Sequence, residues 1–497
     1  MNLNFRKLLI CFSIMPSFIY ANEWSDKAKQ DIDEVYTILK ENHPGYVDSL
    51  NPDFKKDFEK NYITALKNSE KIDSYNGYYF TPKEYITTFR DGHTQLSFSN
   101  DLLRPDDDKE IENAGVIIKY RNNKFLVSSL LKNKEKNAKY PEINSEFIAC
   151  DSISAEELFN ENIYKYLGNR NIELVKIAYS RNLFLNYNSP EQKKNKNCVF
   201  KNSKGKIEKF NLVWQKTKYS DLKNHFLNAS VGAETQFKFE EFAKGKYWIS
   251  MPSYSEEEKF EKLYAEIEQN TNELRNAALI VFDVRGNTGG DSSFGSSVIK
   301  QIWGKEYYNN LPKQQNEYVE WRASWGNYNF VNNQYFKKFS GAEEKKNINR
   351  YRYYESLLKN IKAAIANKQD YYLEKYYEED KEKPKKVKVS NKVKANIVLL
   401  TDARCASACL DFADEIYSLP NVKHVGQITG SDTQYMDISI TNLKSGLAEL
   451  IYPMKVYRNR KRKADESYLP QYVYDGDIWE TEKLKSWILS LQEENRS

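Results

Sequence analysis

Apolar positions in this chain recur with two periods, and the change from one to the other divides it. From Ala28 to Leu39, residues Ile32, Val35, Ile38 and Leu39 fall at helical spacing; Pro44-Gly45 breaks the run, and Phe54 to Leu66 resumes it. Tyr85 to Phe89 leads through Arg90-Asp91-Gly92-His93-Thr94 into the alternating Gln95-Leu96-Ser97-Phe98, which sets His93 on a tight turn entering a strand. Residues 22–110 therefore read as a helical region carrying that histidine. Residues 111–220 read as a β-rich domain: Val116-Ile117-Ile118, Phe125-Leu126-Val127, Glu146 to Ala149, Cys198 to Phe200 and Phe210 to Trp214 are strand-like, with a short helix over Ala155 to Phe159. Ser220 to Ala233 reads as a linker.

Over 235–304 strands and helices alternate. Tyr247 to Met251 is a strand, Glu256 to Glu268 a helix, Ala277 to Val284 a strongly apolar strand and Ser293 to Trp303 a helix. That β-α-β order implies a largely parallel sheet. Residues 305–394 interrupt it as a charged helical insertion, with a helix over Tyr353 to Asn367 and a basic run from Lys381 to Lys394 containing Pro384. The core resumes over 395–497, from the strand Asn396 to Leu400 to a final helix at Thr481 to Leu491.

Just after that resumed strand, Thr401 to Arg404 forms a polar turn, and Ala408, Cys409, Phe412, Ala413, Ile416 and Tyr417 take up helical spacing. Ser407 thus falls at a helix start, where free N–H groups and the helix dipole can stabilise an oxyanion. A plain helix cap has the same position, so Ser407 needs a base to be a nucleophile. Of the four histidines, His93 has the best local context, after a glycine that permits close approach of a ligand. His43, before Pro44, and His424, at a strand start, read as structural, and His225 lies in the linker. The turn Asp283-Val284-Arg285-Gly286-Asn287-Thr288-Gly289-Gly290 exposes backbone N–H groups at a sheet's carboxyl edge, where α/β folds bind ligands. It lacks the lysine and Ser/Thr of a phosphate-binding loop.

Composition adds a compartment. Met1 to Lys7 is basic, Leu8 to Tyr20 apolar, and Ala21 a small residue before Asn22, so residues 1–21 read as a signal peptide and the protein as exported, to the periplasm or extracellular space. The apolar run is too short to span a bilayer, and no integral membrane segment is expected after its removal. The formal net charge is +5, falling to about +3 without the signal, too little to argue for nucleic acid. Of the four cysteines beyond Cys11, Cys150 and Cys198 share the β-rich region and form the disulfide candidate. Cys405 and Cys409, one helical turn apart, fit a disulfide poorly and read as small apolar residues packed around Ser407. No histidine stands at ligand spacing from them, so no metal is expected.

AspGlyHisThr at 91–94, AspValArgGlyAsnThrGlyGly at 283–290, AlaSerAla at 406–408, Val425-Gly426 and Asp465-Glu466-Ser467-Tyr468-Leu469-Pro470 occur in an order that resembles the tail-specific, or C-terminal-processing, serine peptidases. The similarity is greatest to the branch that includes the tricorn core protease. HisProGly at 43–45 also fits, and Asn144 to Asp151 looks like the end of a PDZ-like domain. The resemblance implies an α/β catalytic core of ClpP/crotonase-like type, with a mixed, largely parallel sheet, plus a PDZ-like β domain and the helical N-terminal region. It implies peptide-bond hydrolysis through a Ser-His-Glu triad and an acyl-enzyme, with Ser407 as nucleophile, His93 as base and Glu466 as the orienting acid. The N–H groups of Ala408 and Gly289 would form the oxyanion hole, polypeptide would be the substrate, and no cofactor would be needed. Better-known relatives pair serine with a lysine 25 positions on; here that position is Asp432, which makes His93 necessary. Gln471 also departs from the aspartate frequent after the family's proline. The rival reading is a non-catalytic protein binding peptides or lipophiles on the same fold; a third is an esterase, disfavoured because alanines rather than glycines flank Ser407.

Overall fold

The computed structural model describes residues 22–132, 138–168, 172–189, 192–229, 235–312, 317–339, 341, 348–374 and 389–493. The segment expected to be a signal peptide and most of the basic run 381–394 lie outside them.

Three helices, Glu23–Asn42, Pro52–Ser69 and Tyr75–Thr87, make the N-terminal layer. The first is capped by the Asn22 side chain, carries Glu23 and Asp26 in its first turn, and buries Ala28, Ile32, Val35 and Leu39 along one stripe. The β-rich region forms a six-stranded antiparallel sheet, in which Cys150 and Cys198 are directly opposed and disulfide-bonded. The expected linker after it is the helix Tyr219–Ala229, whose Leu222, Phe226 and Ala229 are buried.

The central sheet has six strands in the order Lys238–Ala243, Lys246–Ser250, Leu279–Asp283, Asn396–Thr401, Val422–Gly426 and Tyr472–Val473. The first pair is antiparallel and every later pair parallel. Alternate residues explain why the middle strands are apolar throughout. Ile280, Phe282, Ile397 and Leu399 pack in one core with residues of helices Glu257–Gln269, Ser292–Trp303 and Ala408–Ile416. Leu279, Val281, Val398 and Leu400 pack with Leu484 and Ile488 of the C-terminal helix Thr481–Glu493.

A second mixed-origin sheet was not expected. The long strand Ala448–Arg458 pairs antiparallel with Tyr435–Asn442, with Gln95–Phe98 of the N-terminal region and with Tyr318–Arg322, which in turn pairs with Tyr371–Glu374. Residues 305–394 therefore include two strands of the body, with Trp321, Leu357 and Ile361 buried beside Met454. Arg458 fastens the three segments: its guanidinium donates to Asp48 at 2.9 and 3.0 Å and to Glu320 at 2.7 Å.

Candidate active site

The strand Asn396–Thr401 ends in buried Asp402, whose carboxylate accepts the Gly286 N–H at 2.9 Å and Arg404 Nε at 3.1 Å. Burial raises the Asp402 pKa, and Arg404 opposes it. This hydrogen bond stitches the glycine-rich turn to the serine turn, and the Ala406 N–H to Asn287 carbonyl contact at 3.4 Å adds a second tie. Asn287 is itself fixed through Nδ2 on the Met251 carbonyl at 2.7 Å.

Ser407 sits between these ties with φ 56° and ψ −128°, and its side chain does not cap the helix that begins at Ala408. A β-carbon residue in that backbone region is costly and persists only where surrounding contacts enforce it. The geometry frees Oγ from the cap role, and the Ala408 N–H is among the first-turn donors a helix leaves without an internal partner. Cys405 and Cys409 flank the serine and form a disulfide, with Cα atoms 5.2 Å apart. The expectation that they stay unpaired assumed one helical turn between them. The helix starts only at Ala408, so Cys405 lies in the preceding turn and reaches its partner.

Gly289 abuts the nucleophile. Its φ is 108°, and a Cβ there would stand 2.6 Å from Ser407 Cβ and 3.1 Å from the Ala408 nitrogen. The Gly289 N–H, expected to help form the oxyanion hole, is donated to Asn287 Oδ1 at 2.9 Å. Tyr254 makes both hydrogen bonds of its bridge to the next residue through the Gly289 carbonyl and the Asp291 N–H, which leaves the Gly290 N–H outside it.

His93 follows Arg90, a residue at φ 51° that reverses the chain after the third helix. Its backbone N–H donates to Oδ1 of buried Asp91 at 3.1 Å. Asp91 Oδ2 meets His43 Nε2 at 3.1 Å and accepts from Thr94 Oγ1 at 2.6 Å. His43 Nδ1 accepts the Gly45 N–H at 2.9 Å, so its proton is on Nε2, directed at Asp91 or Thr94. The His43-Pro44-Gly45 motif is thus a brace under the His93 turn. Burial acts to raise the Asp91 pKa, but the hydrogen bonds from His43 and Thr94 and the neighbouring imidazoles outweigh it, holding Asp91 below the usual range.

One extended segment joins the two turns. A Cβ on Gly430 would lie 2.7 Å from the Cys405 carbonyl and 3.2 Å from Ala406 Cβ. Three residues on, Thr433 Oγ1 donates at 2.7 Å to Asp91 Oδ1, the oxygen that also holds the His93 N–H. Three residues of extended chain span about 10 Å, so this segment brings the serine and histidine turns near one another. Among the described residues Ser407 and His93 are not hydrogen-bonded to each other, as is common in unliganded sites.

Glu466 lies in a short ladder, directly opposite Asp432. It is exposed, and its carboxylate accepts the Lys463 N–H at 2.7 Å. Asp432 is buried; burial raises its pKa, opposed by His93 and Arg462. Among the described residues no cluster of three or more His, Cys, Asp or Glu is placed to hold a metal ion. Gly290 and Asp432 had little sequence signal: one is the neighbour of the assigned glycine, the other sits in the polar stretch Gly430 to Gln434 without a pattern of its own.

Residues 247–466 match the sequence model of peptidase family S41. That stretch is a peptidase family S41 domain. No curated protein sequence matches the chain. The structure of mature CPAF aligns with a TM-score of 0.57 at 9% identity, covering 91% of this chain and 93% of that one. Mature CPAF complexed with lactacystin gives 0.56 at 10% identity, covering 91% and 94%. Both likenesses are of fold. The family match supports a serine-type peptidase chemistry for this stretch, with polypeptide as the substrate class. Its mixed α/β architecture, with several sheets and helices, agrees with that family, and no helix among the described residues is long and apolar enough to cross a membrane.

Proposed function

We propose that the protein is an exported, tail-specific-type serine endopeptidase in which Ser407 attacks the scissile carbonyl and His93 takes its proton. The observation that carries this reading is the junction of the glycine-rich turn with Ser407: a serine at positive φ, excused from capping, with a glycine backbone against its Cβ. Attack forms the Oγ–carbon bond, and the carbonyl oxygen gains charge beside the Ala408 N–H. The Gly290 N–H supplies the second donor, because that of Gly289 is engaged. Proton return from His93 expels the amine, and water, deprotonated in the same way, releases the acyl group. Glu466 supports the histidine from the short ladder that it forms with Asp432. The β-rich region serves as a PDZ-like module that takes substrate chain ends by strand addition.

The test is labelling of the full mature chain with a fluorophosphonate, alongside cleavage of an unstructured polypeptide. Wild type should label and cleave, whereas Ser407→Ala should do neither. His93→Ala should lose at least about 100-fold in rate, the low end of what general-base catalysis contributes. A folded wild type that binds the polypeptide without labelling or cleaving it would move the assignment to a binding protein.

A further inference from the structure

The short ladder beside the site holds two carboxyl groups with opposite surroundings. Asp432 and Glu466 are directly opposed in an antiparallel pair, an arrangement that sends both side chains to one face with Cβ atoms about 5 Å apart. Glu466 is exposed and already accepts the Lys463 N–H. Asp432 is buried, and its Oδ2 lacks a hydrogen-bond partner. Arg462 Nη1 stands 3.6 Å from that oxygen, an ion pair beyond hydrogen-bonding reach. The other groups facing Asp432 are His93, Arg460 and Asp411.

His93 has a matching vacancy. Its Nδ1 is buried and also without a partner. A buried donor and a buried acceptor that both lack partners are each costly. Their turns are tied together close to both groups: Thr433, next to Asp432, and the His93 N–H share Asp91 Oδ1 as acceptor.

We propose that Asp432 is the positioning residue for His93, its Oδ2 accepting the Nδ1–H once substrate settles the histidine against Ser407. This deepens the serine–histidine reading above and rests on it. The bond fixes the tautomer: with Nδ1 protonated, Nε2 is free to accept the Ser407 proton, and the imidazolium that forms is held by a carboxylate that does not itself take the proton. Glu466, capping Lys463 from the solvent side, then holds the ladder in register without touching the imidazole. A carboxylate on Nδ1 stabilises the imidazolium, so removing it should move the acid limb of activity to lower pH as well as lower the maximum rate.

The experiment measures the second-order rate of Ser407 labelling by a fluorophosphonate from pH 5 to 9, for wild type, Asp432→Asn, Asp432→Glu and Glu466→Gln in the full chain, with folding checked by circular dichroism. Expected is a loss of about 100- to 10,000-fold for Asp432→Asn, the range seen when a triad acid becomes an amide, with the acid limb shifted down. Asp432→Glu should recover part of the rate, and Glu466→Gln should lose less than Asp432→Asn and keep the wild-type acid limb. Wild-type rate and profile in Asp432→Asn, or a loss confined to Glu466→Gln, would overturn the proposal. Should Asp432→Asn not fold, a Asp432→Glu profile identical to wild type would overturn it, and one with a displaced acid limb would support it. Labelling that needs neither Ser407 nor His93 would remove the underlying reading, and this proposal with it. Labelling that needs both but ignores Asp432 removes this proposal alone.

Discussion

At the scale of single residues, the site depends on what is missing from Gly289. Its φ of 108° is one that β-carbon residues rarely adopt, and the space where a methyl would go is filled by Ser407 Cβ at 2.6 Å. Gly289→Ala should therefore displace the nucleophile, since in this buried turn the added carbon meets Ser407 and the backbone on either side of it. The expected outcome is a loss of labelling of at least about 100-fold, the cost of disturbing one oxyanion-hole donor. Ser407, His93 and the glycine turn were legible in the sequence because local chemistry marks them: a serine at a strand-to-helix junction, a histidine after Asp-Gly, glycines after an apolar strand. Asp432 has no such mark. Its burial and its unpartnered oxygen come from strands that meet through tertiary structure, which no local pattern encodes.

At the scale of elements, the strand Asn396–Thr401, the turn and the helix Ala408–Ile416 form a unit whose covalent tie runs from Cys405 to Cys409 across the nucleophile. Closing so short a loop removes little chain entropy, about 2 kcal/mol in the loop-entropy account. The tie's larger effect is local, because it helps to hold Ser407 at φ 56°. A Cys405→Ala/Cys409→Ala double variant should lose at most about 2 kcal/mol in urea unfolding yet label more than tenfold slower. Equal losses in both measurements would assign the disulfide to general stability. The pairing escaped prediction because helical periodicity in this stretch extends to Cys405 while the helix itself does not. Periodicity located the parallel strands and their helices well, since both faces of the sheet are covered and the strands are apolar throughout. It failed over 305–394, where Tyr318–Arg322 and Tyr371–Glu374 are short, mixed in polarity and paired with a strand distant in sequence. The helix Tyr219–Ala229 had its signal in Leu222, Phe226 and Ala229, masked by polar residues between them.

At the scale of the whole molecule, buried His424 couples the central sheet to pH. It lies in the strand Val422–Gly426, between Thr401 Oγ1 and Tyr417 Oη, each 2.7 Å from a ring nitrogen. Burial lowers its pKa to about 4. A depressed folded pKa contributes stability above the unfolded value near 6.5 and loses it as pH falls through 4, a window worth about 3 kcal/mol. In urea unfolding, the advantage of wild type over His424→Gln should therefore be largest at pH 7 and shrink toward pH 4.5; a constant gap would refute the linkage. The sheet built around Ala448–Arg458 has a different consequence, one of timing. The base-bearing turn leads into Gln95–Phe98, whose partner strand begins at Ala448. Synthesis runs from the N-terminus, so His93 is translated early but its supporting strand only after the nucleophile and nearly the whole chain. A nascent polypeptide therefore carries both Ser407 and His93 before the strand that frames the histidine turn has been made.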